Sequence, residues 1–274
     1  MAINSLRSAM ICLGLLTWVA GCSSSYSAPG HPADFKALGM TREQLTDSSI
    51  NQALSKQPLA QFPCGIAAVR IQAPGYESKT AHAWGEGNYC VITTRDIEGN
   101  QLDRLAKLKD VAGIVTLNRL VLPSRFTSDR ELRQAAAELH ADMVLIYTID
   151  TSASLNDEAA ALTALTLGVS PNQVVHMIST ASAVLLDTRD GYLYGYAEAT
   201  ERQDQLANGW GADATLDDAR RRTEGRAFEK LVGQLEKTWP TIDKTYAVPA
   251  AAQTPGTTQT PSPTAAAKVS ASVH

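Results

Sequence analysis

Residues 174–200, VVHMISTASAVLLDTRDGYLYGYAEAT, constrain the fold more than any other stretch. The run 174–188 is apolar and β-branched and reads as a long strand. Asp190-Gly191 is a hairpin turn signal, because glycine tolerates the positive φ such a turn requires. Residues 192–200 are then the returning strand. A two-stranded hairpin is barely stable in water and needs a cover. The chain supplies one: Leu216, Ala219, Thr223, Ala227, Leu231 and Leu235 recur at helical spacing. They define an amphipathic helix from 216 to about 237.

The preceding chain alternates between the two periods. GIAAVRIQA (65–73) and CVITTRDI (90–97) read as strands joined by a Gly-rich link. Leu102, Leu105, Leu108 and Ala112 predict a helix over 101–112. LNRLVLP (117–123) reads as a strand closed by Pro123. Ser128 with Glu131 forms a capping box for a helix over 129–140, whose buried face is Leu132, Ala135, Ala136 and Leu139. ADMVLIYTIDT (141–151) is apolar enough for a central strand. Looser spacing of Leu45, Ile50 and Leu54 allows a short helix before residue 60. The expected fold is α+β: one domain with a mixed, largely antiparallel sheet packed against helices, ending in the long amphipathic helix. Its bounds are 61–246.

Both ends stand apart in composition. Residues 22–60 begin with Ser, Pro and Gly and read as a tether with the short helix. From 247 to 274 the chain is Ala, Thr, Pro and Ser without large apolar residues, the composition of a disordered tail. Residues 1–21 have a basic start, the apolar run SAMICLGLLTWVA and small residues before Cys22, which is the layout of an export signal too short to remain as a spanning helix. Val19-Ala20-Gly21-Cys22 resembles the lipobox of bacterial lipoproteins. That resemblance implies cleavage before Cys22, lipid on its sulfur and acylation, palmitate included, of the new amine. Several acyl chains hold a protein durably, at about 0.8 kcal/mol per buried methylene. Ser23 after the cysteine is compatible with outer-membrane sorting, so the resemblance implies a lipid-anchored protein of the outer membrane facing the periplasm.

Arg7 is the sole charged residue of the signal, so 23 basic side chains oppose 28 acidic ones in the mature chain, a net charge of about −5. A nucleic-acid partner, which needs a basic footprint, is not expected. Besides Cys12 in the signal and Cys22, only Cys64 and Cys90 remain. In an oxidising compartment the pair reads as a disulfide between neighbouring strands, with two buried free thiols as the alternative. Two cysteines without matching histidines argue against a metal site.

ELHADMVLIYTIDT and SAVLLDTRDGYLYGYAEA together resemble a family of periplasmic lipoprotein domains: the CsgG type (the curli secretion channel), LpoB-like activators of penicillin-binding proteins, and the amino-terminal domain of TolB. There a helix precedes a "GADyvl" strand, and an "lvDvxTGev" hairpin precedes the last helix. His140 stands at the glycine of the first motif, and Arg189-Asp190-Gly191 replaces Thr-Gly in the second. In the CsgG channel, insertions into this domain form membrane strands. Here 155–173, LNDEAAALTALTLGVSPNQ, has a short apolar part without alternation, so a small packed helix or a partner-contact lid is expected there and no pore.

No HExxH, GxxxxGK, GxSxG or GxGxxG occurs, and the five histidines are scattered. His176 reads as a structural strand histidine. Asp187 and Asp190 read as turn residues, and Arg220-Arg221-Arg222 after Asp217-Asp218 as a solvated first helical turn. Tyr192, Tyr194 and Tyr196 alternate and so share one face. They are candidate partner contacts or, alternatively, a half-buried face beneath the last helix. Trp84 and Trp210, in Gly-rich loops, are candidate contacts or loop anchors. The expected role is a non-enzymatic accessory protein, without cofactor or metal, binding another envelope protein in assembly, secretion or cell-wall synthesis. A homo-oligomeric, CsgG-like structural or export component is the alternative, and an envelope hydrolase ranks third.

Overall fold

The computed structural model describes residues 30–34, 47–157, 173–207 and 212–247. In chain order these form α1 (Asp47–Ser55), β1 (Cys64–Gln72), β2 (Ala83–Trp84), β3 (Glu86–Gly87), β4 (Cys90–Ile92), α2 (Gln101–Leu105), β5 (Val111–Thr116), β6 (Arg125–Phe126), α3 (Arg130–Glu138), β7 (Met143–Asp157), β8 (Gln173–Asp187), β9 (Leu193–Ala207) and α4 (Ala212–Tyr246). The fold is α+β. Its seven-stranded sheet is mixed and mainly antiparallel, in the order β2-β4-β1-β7-β8-β9, with β5 also paired to β1. β3 and β6 form a separate parallel pair.

Period-2 alternation builds a core on each face of the sheet. Ile66 and Ala68, Leu145, Tyr147 and Ile149, Ala181, Ala183 and Leu185, and Ala197 and Ala199 lie under Ala227, Phe228, Leu231 and Val232 of α4. The intervening Ala67, Val69 and Ile71, Val144 and Ile146, and Val184 and Leu186 meet Leu132, Ala135 and Ala136 of α3. β7, β8 and β9 each run fifteen residues, longer than the sequence pattern indicates, because the ladder continues to Asp157–Gln173 and Gln173–Ala207. Val175 and Met177 extend the apolar face to Leu216 and Ala219 of α4. α4 itself continues beyond 237 and through Pro240, since Trp239 and Ile242 are buried and Trp239 Nε1 donates to the Lys109 carbonyl at 2.8 Å.

Several expectations are corrected. The helix expected over 101–112 stops at Leu105. Asp110 takes a left-handed φ of 58°, its carbonyl accepts the Cys64 N–H at 2.9 Å, and the β-branched run beginning at Val111 pairs in parallel with β1. Residues 117–123 form no strand; their turn is held by the Asn118 side chain, which accepts the Leu120 N–H at 2.9 Å. The strand expected over 90–97 ends at Ile92, where its pairing with β1 ends. Residues 30–34 of the expected tether lie on the sheet: Pro32 bridges to Gln72, and the buried Ala33 donates to Thr148 Oγ1 at 3.0 Å.

Cys64 and Cys90 are not bridged; both are free and buried. The register explains this. Cys90 pairs with Gln72, whereas Cys64 pairs with Val111 at the opposite end of β1. Eight residues of strand, about 26 Å, separate the two pairing positions, far beyond disulfide reach.

Candidate partner-binding surface

Two polar centres organise the domain before any surface is considered. The first lies under α4. Arg220 is fully buried; its Nη1 donates to Glu224 Oε2 at 2.8 Å and its Nη2 to Asp217 Oδ1 at 3.0 Å. Arg70 of β1, also buried, reaches the same Glu224 oxygen at 3.4 Å and Asp96 at 3.2 Å. Thr151 Oγ1 donates to Glu224 Oε1 at 3.0 Å. Burial works against both guanidinium charges, but the surrounding groups, Glu224 foremost, outweigh it and hold both pKa values above the usual arginine range. The expected solvated Arg220-Arg221-Arg222 turn is therefore corrected: Arg221 and Arg222 fit it, while Arg220 closes a buried ionic cluster.

The second centre is the β8–β9 turn. Asp187 is fully buried and accepts the Arg189 N–H at 2.8 Å, and Asp190 accepts the Tyr192 N–H at 2.8 Å, as turn residues do. Gly191 takes the anticipated positive φ, 73°. The turn also grips the chain that enters the domain. Asp190 accepts the Gln57 N–H at 2.9 Å, Lys56 donates to the Gly191 carbonyl at 3.2 Å, and Tyr194 Oη accepts the Ala60 N–H at 3.0 Å. Arg189 Nη1 reaches the Leu59 carbonyl at 3.1 Å and Asp142 at 3.3 Å. The Asp-Thr-x-x-Gly motif thus clamps residues 56–60 to the sheet.

The three tyrosines do not share a face. A bulge between Leu185 and Leu186 shifts the pairing, so that Leu186 meets Leu193 while Leu185 meets Gly195. Tyr194 is buried toward α4, Tyr192 is half-buried, and their rings meet Tyr246 edge-on. Tyr196 points to the opposite face and is 77% exposed. Burial, ahead of the Asp187 contact, drives the Tyr194 phenol above its usual pKa. Trp84 is a loop anchor: its Nε1 donates to the Pro123 carbonyl at 3.0 Å. His176 Nδ1 lies 2.8 Å from Asp204 Oδ1 on the exposed face. Cys22, Trp210 and the expected helix or lid in 158–172 lie outside the described residues.

What remains open to a partner is the edge of the sheet. Every residue of β9 except the bulged Tyr194 pairs with β8 on one side, and among the described residues no strand lies on the other. Tyr196, Glu198, Thr200, Arg202 and Asp204 stand exposed along it, on the face away from α4. On the α4 side a groove of about 370 Å³ runs beside Glu198, Ala199 and Thr200, walled by Lys230, Gly233, Gln234 and Lys237. A Cβ at Gly233 would meet nothing within 4 Å. An unpaired strand of this length presents a row of free N–H and C=O groups, the template for strand addition. The sequence expectation missed it, because an edge is a property of topology; the signal available was that β9 is the last strand. A second groove, of about 500 Å³, lies between residues 120–123 and α3, beside Leu120, which is 86% exposed.

Among the described residues no helix is long and apolar enough to cross a membrane. No family model and no curated protein matches the chain. Among solved structures it is similar to a DUF330-family protein of Xanthomonas campestris, at 12% identity and a TM-score of 0.36, over 69% of this chain and 92% of that one. It is also similar to lipoprotein GNA1162 of Neisseria meningitidis, at 16% identity and a TM-score of 0.28, over 58% of this chain and 95% of that one.

Proposed function

We propose that the chain is a lipid-anchored envelope protein, attached through Cys22 to the outer membrane and facing the periplasm. It acts as a non-enzymatic accessory protein that binds another component in envelope assembly, secretion or cell-wall synthesis. The observation that carries this reading is the unpaired outer edge of β9 with its groove, a surface built for strand addition. The buried acids Asp187 and Glu224, the obvious groups for acid–base chemistry, are engaged in holding the fold. Pro32 bridges to Gln72 of β1 ten residues after Cys22, so at most about 36 Å of chain separates that cysteine from the sheet. The short chain therefore holds the domain close to the membrane surface.

Labelling cells with radioactive palmitate tests the anchor: label on the wild type and none on Cys22→Ala is expected. Cross-linking in intact cells, with mass analysis of the extracted species, tests the role. A defined envelope protein in the cross-linked band is expected, and a chain that never cross-links to any protein overturns the reading. A homo-oligomeric structural role is the second reading, favoured by the residue pattern along β9.

A further inference from the structure

Taking β9 as the docking edge, and following the homo-oligomeric reading of it in place of binding to a different protein, we infer that its occupant is β9 of a second copy, paired antiparallel about a two-fold axis at Thr200. Thr200 is the central residue of Leu193–Ala207, with seven residues on either side. An axis there is the one register in which the whole strand finds a partner.

That register also matches the side chains. On the exposed face, Glu198 lies opposite Arg202 of the second copy, twice, and Tyr196 opposite Asp204 of the second copy, twice. Moving the axis to residue 201 sets Glu198 against Asp204. Moving it to 198 or 202 sets Glu198 or Arg202 against its own copy. Within one protomer, neither charge has an opposite-charge partner among the described residues: Glu198 accepts only the Ser182 hydroxyl, and Arg202 makes no ion pair.

The α4 side agrees. Ala199 lies opposite Glu201 of the second copy, whose carboxylate, still held by its own Lys230 and Arg226, comes to lie beside the groove where Lys237 stands. Lys237 makes no ion pair among the described residues, and Gly233 leaves the groove clear for an incoming strand. Nothing else blunts the edge, since residues 195–207 contain no proline and the bulge is confined to 193–195. Lys230 reaches the Thr200 carbonyl at 3.4 Å, but its stronger contact is Glu201 at 2.5 Å, which pairing leaves intact. An isologous contact of this kind closes as a dimer and does not propagate.

The test uses the full mature chain extracted in detergent, with mass measured by sedimentation across concentration. Glu198→Arg and Arg202→Glu should each weaken the dimer about tenfold or more, and the double exchange should return it to within about threefold of wild type. In intact cells Thr200→Cys should form a disulfide with its own copy on mild oxidation, because residues on the axis face each other. A monomer at all concentrations, or a dimer indifferent to the charge exchange, overturns the pairing. If Thr200→Cys captures a different envelope protein, β9 stands as a docking edge and the self-pairing falls. If it captures nothing, the self-pairing falls, and the cross-linking of the wild type decides the docking edge.

Discussion

Tyr194 Oη donates to Asp187 Oδ2 at 2.7 Å across the β8–β9 turn, and the same oxygen accepts the Leu59 N–H at 2.7 Å. One buried carboxylate therefore closes the hairpin and holds the entering chain. Removing it leaves the buried phenol and two N–H groups without their acceptor. Asp187→Ala should cost about 3 kcal/mol or more, and Tyr194→Phe about 1–2 kcal/mol, by urea denaturation of the purified domain. Limited proteolysis adds a second check: Asp187→Ala should open cleavage around residues 56–60 at denaturant concentrations that leave wild type intact. Equal stability of Asp187→Ala and wild type would remove the clamp.

The three consecutive arginines should separate sharply. Arg220→Ala leaves Glu224 buried against Arg70 with one cation fewer, and breaking such a cluster costs about 3–5 kcal/mol. Arg221 pairs with Asp218 at the surface and Arg222 is exposed, so alanine at either should change stability by about 0.5 kcal/mol or less. Thermal melts of the three single variants decide. Indistinguishable melts would mean that Arg220 is as solvated as its neighbours.

The contrast among these arginines shows where sequence reading stops. The stripe Leu216, Ala219, Thr223, Ala227, Leu231 faces the sheet as its spacing implies, and the 174–200 hairpin turns at Asp190-Gly191. Such features are written in near neighbours. Arg220 falls on the same buried side, but its fate depends on Arg70, which meets Glu224 across 154 positions of sequence. Cys64 and Cys90 sit beside strands that do pair, yet whether they meet depends on a register that local pattern leaves open. Tyr196 is turned outward by one bulged residue, invisible in a simple alternation count. The candidate edge was hidden for a related reason: ERQDQLA has little strand character alone and is recruited by its ladder with β8.

His140 is the residue after α3's final turn and takes a left-handed φ of 55°. Relieving that conformation returns about 1–2 kcal/mol. Glycine's extra freedom in the unfolded chain takes back about 0.4–1 kcal/mol. His140→Gly should therefore stabilise the domain by about 0.5–1 kcal/mol, and the β-branched His140→Val should destabilise it. Both follow from equilibrium urea denaturation. A destabilised glycine variant would show that the exposed imidazole makes a contact that outweighs its backbone cost.

The thiols offer the last test. Burial first, and then the nearby Asp142 charge, push the Cys64 thiol up to about 12; burial also raises Cys90, whose Sγ donates to the Ala73 carbonyl at 3.3 Å. Few thiolates exist at neutral pH, and buried sulfur excludes reagent, so both cysteines should be inert in the native protein. On the mature chain, with the Cys22 sulfur blocked by the proposed lipid, a thiol-reactive dye should find none before denaturation and two afterwards. The sign of the pH effect follows from the raised pKa values. Folding favours the protonated thiol, so this contribution is complete below about pH 8.5, the unfolded thiol's range, and falls as pH rises toward 12. Cys64→Ala should flatten that alkaline decline. No reactive thiol after denaturation would restore the disulfide and would require a different β1–β4 register.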